Sequence, residues 1–141
     1  MHFDPAIAAQ VAFARAQQTG ELGDDLAPAR EAEEVFSGSA GREARAGYFT
    51  LVALGEQHPN AVSFQEFLIY ITWQQVTEET IPAHFQRGAD LCDRYLSRLA
   101  PGHDAAQAEQ IKDLRRSFRA GLGQQDEDEM DYDADTLKGG D

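Results

Sequence analysis

Two adjacent carboxylates and a histidine lie close together near the middle of the chain, in the stretch VTEETIPAHF at 76–85. Carboxylate and imidazole groups bind divalent metal ions. In helical metal sites a Glu-x-x-His spacing puts two ligands on one helix face, whereas Glu79 and His84 are five residues apart with Pro82 between them. A proline ends or kinks a helix, so this spacing favours a junction between two helices. The metal-ligand candidates, with further ligands expected from a second subunit, are Glu66, Glu78, Glu79 and His84.

No other catalytic pattern accompanies these residues. The sequence contains no G-x-S-x-G motif, no glycine-rich phosphate loop and no CxxC or Cys/His cluster. The single cysteine, Cys92, falls on an apolar helical stripe, where burial keeps a thiol protonated and unreactive. The histidines, His58 and His84 among them, lie at the expected element boundaries, where a solvated capping residue is typical. We therefore expect a protein that is not an enzyme and that needs no cofactor.

The strongest charge feature is the C-terminal segment QQDEDEMDYDADTLKGGD at 124–141. It contains eight acids and one base, which supply −7 of the formal net charge of −13. Such a segment has too little apolar surface to fold alone, so we expect a disordered acidic tail. The tail serves either to solubilise the chain or to bind a basic partner through Met130, Tyr132 and Leu137. A basic face on the preceding helix is the second candidate partner-binding surface, consisting of Lys112, Arg115, Arg116 and Arg119.

The spacing of apolar and capping residues predicts the helices that must position these groups. The first helix, at 4–19, begins with Asp4 as its cap and stops before Gly20. Its predicted apolar stripe is Ile7, Val11 and Ala14. Residues 20–28 are expected to form a connection, because they contain two glycines and a proline. Further helices are predicted at 29–36, 42–57, 82–99 and 104–122.

The apolar run FLIYITW at 67–73 is compatible with either a strand or a helix. Ser63 and Glu66 fit the capping box S-x-x-E, in which the serine accepts from an amide of the first turn. This pattern favours a helix that begins at Ser63. Since few polar positions interrupt the helix, we expect it to be central and the most buried of the set.

The length of 141 residues fits one domain. We therefore expect an all-α fold, a single helical bundle of about five helices at 1–123, followed by the tail at 124–141. The N-terminus lacks the pattern of a signal peptide, and no apolar run is long enough to span a membrane. These observations and the lone cysteine favour the cytoplasm. The acidic charge disfavours direct binding to nucleic acid or to an anionic membrane surface.

The leading functional hypothesis is a non-catalytic accessory or regulatory protein that binds a protein partner through its helical body, its acidic tail or both. A second copy of the chain is one such partner, which would make a homo-oligomer. The first alternative is a helical metal-binding or redox protein. The second is an acidic mimic of nucleic acid, which ranks last because more than half of the net charge lies in the tail.

Overall fold

A computed structural model of the chain describes residues 4–99 and 105–123, and every regular element in these ranges is helical. The predicted all-α fold is confirmed, with six α-helices where about five were expected. No helix within these ranges is long and apolar enough to cross a membrane. The α-helices are α1 (Pro5–Thr19), α2 (Leu26–Gly38), α3 (Gly41–Gln57), α4 (Val62–Glu78), α5 (Pro82–Ser97) and α6 (Ala105–Gly121), with a short 3₁₀ helix at Gly23–Asp25.

The contacts divide the chain into two compact units, with the boundary between Glu79 and Thr80. The first unit contains α1 to α4, and the second contains α5 and α6. The assignment of 1–123 to one domain therefore stays a prediction. The proposed tail at 124–141 lies outside the described residues.

Helix α1 has the ends that the sequence predicted but not the predicted buried face. The Asp4 carboxylate accepts hydrogen bonds from the amides of the first turn, and Gly20 ends the helix in a left-handed conformation. The expected stripe of Ile7, Val11 and Ala14 is exposed instead. The buried positions are Ala9, Ala12, Phe13 and Ala16. The prediction of the stripe was wrong because the Phe13 ring packs on Phe64 and Phe67 of α4, and this aromatic contact sets the orientation of the helix.

Helix α4 is the most buried helix of the first unit, as expected, and it contacts both α1 and α3. The predicted capping box is wrong, because α4 begins at Val62 and has no cap from its own side chains. A carboxylate from a distant part of the chain takes this role: Glu21 Oε2 accepts a hydrogen bond of 2.7 Å from the amide of Phe64. The side-chain amide of Gln65, through Nε2, donates to the backbone carbonyls of Gly55 (2.9 Å) and His58 (3.0 Å) at the end of α3.

Helix α2 begins earlier than predicted, at Leu26, within the stretch expected to be a connection. Pro28 does not prevent this start, because an amide in the first turn of a helix has no intrahelical partner. Helices α2 and α3 then pack closely at Gly47. A Cβ atom added to Gly47 would lie 2.8 Å from the carbonyl oxygen of Ala32. Only glycine therefore fits this position without a shift of the backbone.

The second unit is a pair of packed helices, α5 and α6, in which rings pack directly on glycines. Phe118 of α6 lies against Gly88 of α5, and Phe85 of α5 lies against Gly121 of α6. Cys92 is fully buried, as the apolar stripe predicted. Burial, reinforced by the neighbouring Asp93, raises the pKa of its thiol far above the ordinary value.

Candidate functional site

The stretch VTEETIPAHF forms the junction between two helices that its spacing predicted. Helix α4 ends at Glu78, and Pro82 is the first residue of α5. Glu78 is exposed, and the half-buried Glu79 forms an ion pair of 2.8 Å with Arg45 of α3. The two carboxylates therefore lie at the end of α4, and one of them already has a cationic partner.

The third carboxylate candidate, Glu66, lies elsewhere on α4 and is only 2% exposed. Its Oε1 atom accepts a hydrogen bond of 3.0 Å from the guanidinium of Arg15 on α1. Twelve residues separate Glu66 from Glu78 along one helix, a rise of about 18 Å, which is too long for both to bind one metal ion. Glu66 thus connects α1 to α4 through a partly buried ion pair, because the Arg15 side chain is exposed.

His84 belongs to the second unit and is buried, not solvated as we expected for a residue at a helix boundary. Its Nδ1 atom accepts from the Arg87 guanidinium at 3.0 Å, because arginine can only donate. Within residues 4–99 and 105–123, no group of three or more His, Cys, Asp or Glu residues is arranged to hold a metal ion. The four metal-ligand candidates are therefore not part of any such group in this part of the chain.

The predicted basic face of α6 is present, but its cations already contact carboxylates. Arg115 and Arg119 approach Asp93 of α5 at 3.2 and 3.6 Å. Lys112 pairs with Glu109 on its own helix at 3.2 Å, and Arg116 pairs with Asp113 at 2.6 Å. Two of the four bases thus connect α6 to α5. The other candidate partner-binding residues, Met130, Tyr132 and Leu137, lie outside the described part of the chain.

An open groove on the first unit is the site that sequence reasoning missed. It consists of two adjoining cavities of about 240 and 530 Å³, which share the lining residues Ala6, Phe36, Ser37 and Gln74. The smaller cavity lies between α1, α2 and α4, and the larger one extends to the start of α3 and the end of α4. The residues of α4 that line the groove are Phe67, Ile71, Gln74, Gln75, Thr77 and Glu78.

Four of these positions, Phe67, Ile71, Gln74 and Glu78, form a single face of α4, because their spacings of three and four residues are those of one helical face. The face spans eleven residue steps, or about 16 Å at the helical rise. Phe67 and Ile71 are buried at its base, whereas Ala6, Gln10, Ser37 and Glu78 around them are exposed to solvent. Because Phe67 and Ile71 are only 2% and 1% exposed, the apolar base of the groove is already covered within the protein, and polar side chains form its rim.

The rim of the groove is acidic. Glu33 lines the smaller cavity, and Glu78 and Glu79 line the larger one with Arg45, which already pairs with Glu79. Neither Glu33 nor Glu78 forms an ion pair within the described residues. The surrounding sequence has the same sign: residues 1–79 contain twelve acids and four bases, giving −8, whereas residues 80–123 contain five acids and seven bases, giving +2.

Comparison of this chain with protein-family models, with curated proteins and with solved structures found no match. One sequence signal for the groove existed in the spacing of Phe67, Ile71, Gln74 and Glu78 on α4, where polar residues interrupt an otherwise buried helix.

Proposed function

We propose that the protein is a non-catalytic accessory or regulatory protein that binds another protein through the groove of its first unit. The observation that supports this most is the groove itself, which is bounded by exposed residues and by the carboxylates Glu33 and Glu78. The exposed apolar side chains of α1, the helix that lines one side of the groove, include Ile7 and Val11, and their burial by a partner would release water, which is the main driving force of association. The charge of −8 over residues 1–79 would steer a basic partner towards the groove.

The other proposals have less support. A metal-binding or redox protein would need the carboxylates and His84 to be completed by a second subunit, and Glu66 and Glu79 already bind arginine. An acidic mimic of nucleic acid would need carboxylates spread over the body at the spacing of phosphates, and about half of the net charge lies at 124–141. For the compartment we propose the cytoplasm, because a single buried thiol suits reducing conditions.

Affinity purification of the tagged full-length chain from its native cell tests the proposed function. We expect one protein to be retained in constant proportion at low salt and to be released as the salt concentration rises, since an acidic surface attracts its partner through screened charges. Tagged protein carrying Glu33→Lys and Glu78→Lys, which reverse the charge of the rim, should retain less of it. Recovery of no protein above the tag-only control would overturn the proposal.

A further inference from the structure

Helix α1 exposes an apolar stripe on the side that faces away from α4. Phe13, on the buried side of α1, packs on α4. Ile7 is 58% exposed and Val11 is 51% exposed, more than any other large apolar side chain in residues 4–99 and 105–123. Ala14 and Gln18 are also exposed and continue the stripe. The steps along the stripe are four, three and four residues, which is the spacing of a seam between two packed helices.

The stripe lies on the least charged α-helix of the first unit. Arg15 is the only charged residue of α1, and it forms an ion pair with Glu66 of α4. Helices α2, α3 and α4 each contain at least two acids. The centre of a protein interface is depleted of charged side chains, and contiguous exposed apolar side chains mark such a surface. Both properties therefore coincide on the outer side of α1.

The charges of the chain select among the possible occupants of this stripe. A basic partner finds no carboxylate within α1, and the acidic segment 124–141 finds only Arg15, which already pairs with Glu66. Two copies of a chain with a net charge of −13 repel each other, and they do so least where both present an uncharged helix. Gln10 and Gln17, exposed beside the stripe, suit a second copy as well, because an amide both donates and accepts and can pair with its own kind.

From these observations we propose that a second copy of the chain covers the stripe and that the two α1 helices pack antiparallel about a two-fold axis. The axis passes between Ile7 and Val11, so Ile7 contacts Val11 of the partner subunit and the reverse contact is identical. One helix of 15 residues, about 22 Å long, buries less than the roughly 1,000 Å² of a stable interface, so the dimer is weak. The inference goes beyond the proposed function: a partner that reaches Ile7 and Val11 from the groove competes with the second copy.

Sedimentation equilibrium of the purified full-length chain tests the proposal. We expect a monomer–dimer equilibrium whose dissociation constant falls as the salt concentration rises from about 50 to about 500 mM, because salt screens the repulsion between two acidic chains and leaves an uncharged seam intact. The partner of the groove should show the opposite dependence on salt. The two kinds of binding are therefore distinguishable in one titration.

A matched pair of variants locates the contact. Val11→Lys and Val35→Lys replace exposed valines of α1 and α2, and each lowers the net negative charge of the chain by one. The general repulsion between copies therefore changes equally in both. We expect Val11→Lys to raise the dissociation constant of the dimer about tenfold or more, because it puts two like charges into the seam. Val35→Lys should change it less than about twofold.

Crosslinking with a short bismaleimide tests the antiparallel arrangement without changing the stripe. Gln10→Cys and Gln17→Cys lie seven residues apart on the same side of α1, and both positions are exposed. With the axis between Ile7 and Val11, the two copies of position 10 are about 3 Å apart along the seam, and those of position 17 are about 24 Å apart. We expect a crosslinked dimer from Gln10→Cys only. The unaltered chain is the control, because its Cys92 is buried.

Several results would overturn the proposal. A chain that stays monomeric at about 1 mM and high salt, where screening is nearly complete, forms no such dimer. A dimer that survives Val11→Lys, or that both valine variants weaken equally, has its contact elsewhere. Equal crosslinking of the two cysteine variants would exclude the antiparallel seam. None of these results affects a basic partner that the native purification returns and that salt releases, so the proposed function stands or fails separately.

Discussion

The hydrogen bond between Glu21 and Phe64 allows an experiment to decide which residue caps the start of α4. The sequence indicates that Ser63 caps α4, whereas the structure gives this role to Glu21, 43 residues before Phe64. The Oε2 atom of Glu21 accepts from the Phe64 amide at 2.7 Å, and Oε1 accepts from the hydroxyl of Thr19 at 2.9 Å. Replacement of Glu21 should therefore weaken the packing of the connection between α1 and α2 against the start of α4.

The size of the effect follows from what Glu21→Ala removes. The Phe64 amide is one of the amides at the start of a helix that have no intrahelical acceptor, and it loses a charged partner. The negative charge at the positive end of the helix dipole is lost as well. Loss of a helix cap costs about 0.5–2 kcal/mol, and we expect Glu21→Ala to lie near the upper end. Glu21→Gln keeps an acceptor oxygen but loses the charge, so it should cost about half as much.

Urea denaturation followed by circular dichroism measures these differences in the free energy of unfolding. Ser63→Ala is the decisive comparison, and we expect it to cost less than Glu21→Ala, because the Ser63 hydroxyl caps no amide of α4. Glu31→Ala, at an exposed position of α2, is the control for loss of one acidic side chain. If Ser63→Ala costs more than 1 kcal/mol by the scale of helix caps and Glu21→Ala behaves like Glu31→Ala, the assignment of the cap to Glu21 is wrong.

Three further predictions concern other parts of the chain. Gly47→Ala should lower the free energy of unfolding by about 1–3 kcal/mol relative to Gly38→Ala in urea titration, because its Cβ meets the Ala32 carbonyl and nothing lies within 4 Å of the corresponding atom at Gly38. Cys92 should resist alkylation at pH 8 until urea unfolds the chain, because burial raises the pKa of its thiol. Labelling of the native protein as fast as that of the unfolded chain would contradict this prediction. Deletion of 124–141 should leave the melting temperature nearly unchanged in calorimetry, because this segment has almost no apolar surface to bury; a loss of several degrees at every salt concentration would place the segment in the fold.

The elements that the sequence predicted well are those whose determinants are local. The ends of α1 depend on Asp4 and Gly20, which lie beside the residues they cap. The junction at Pro82 depends on the geometry of proline itself. The buried face of α1, in contrast, depends on tertiary contacts. Phe13 packs on Phe67 of α4, and this packing leaves Ile7 exposed to the solvent. The apolar residues of α1 alone could not indicate this orientation.

The candidate site was less predictable than the helices for the same reason. The groove combines short segments of four helices, and its acidic rim brings together Glu33 and Glu78, which are 45 positions apart in the sequence. The metal hypothesis selected Glu66 and Glu79 by residue type, and the structure pairs each with an arginine. Residue type identifies groups that can do chemistry, but only packing determines which of them remain available.

The distribution of charge on this protein predicts that the proposed partner is positively charged. The bases of α6 looked like a binding face in the sequence, yet Arg115 and Arg119 contact Asp93, so an acidic partner would have to compete with these pairs. At the groove the balance is reversed, because the Glu33 and Glu78 carboxylates have no cation beside them within the described residues. Glu33 Oε2 accepts a hydrogen bond of 3.1 Å from the Ser37 hydroxyl, but a cation that pairs with either carboxylate breaks no existing ion pair. Recognition is therefore expected at the acidic groove, with an affinity that falls as salt screens its carboxylates.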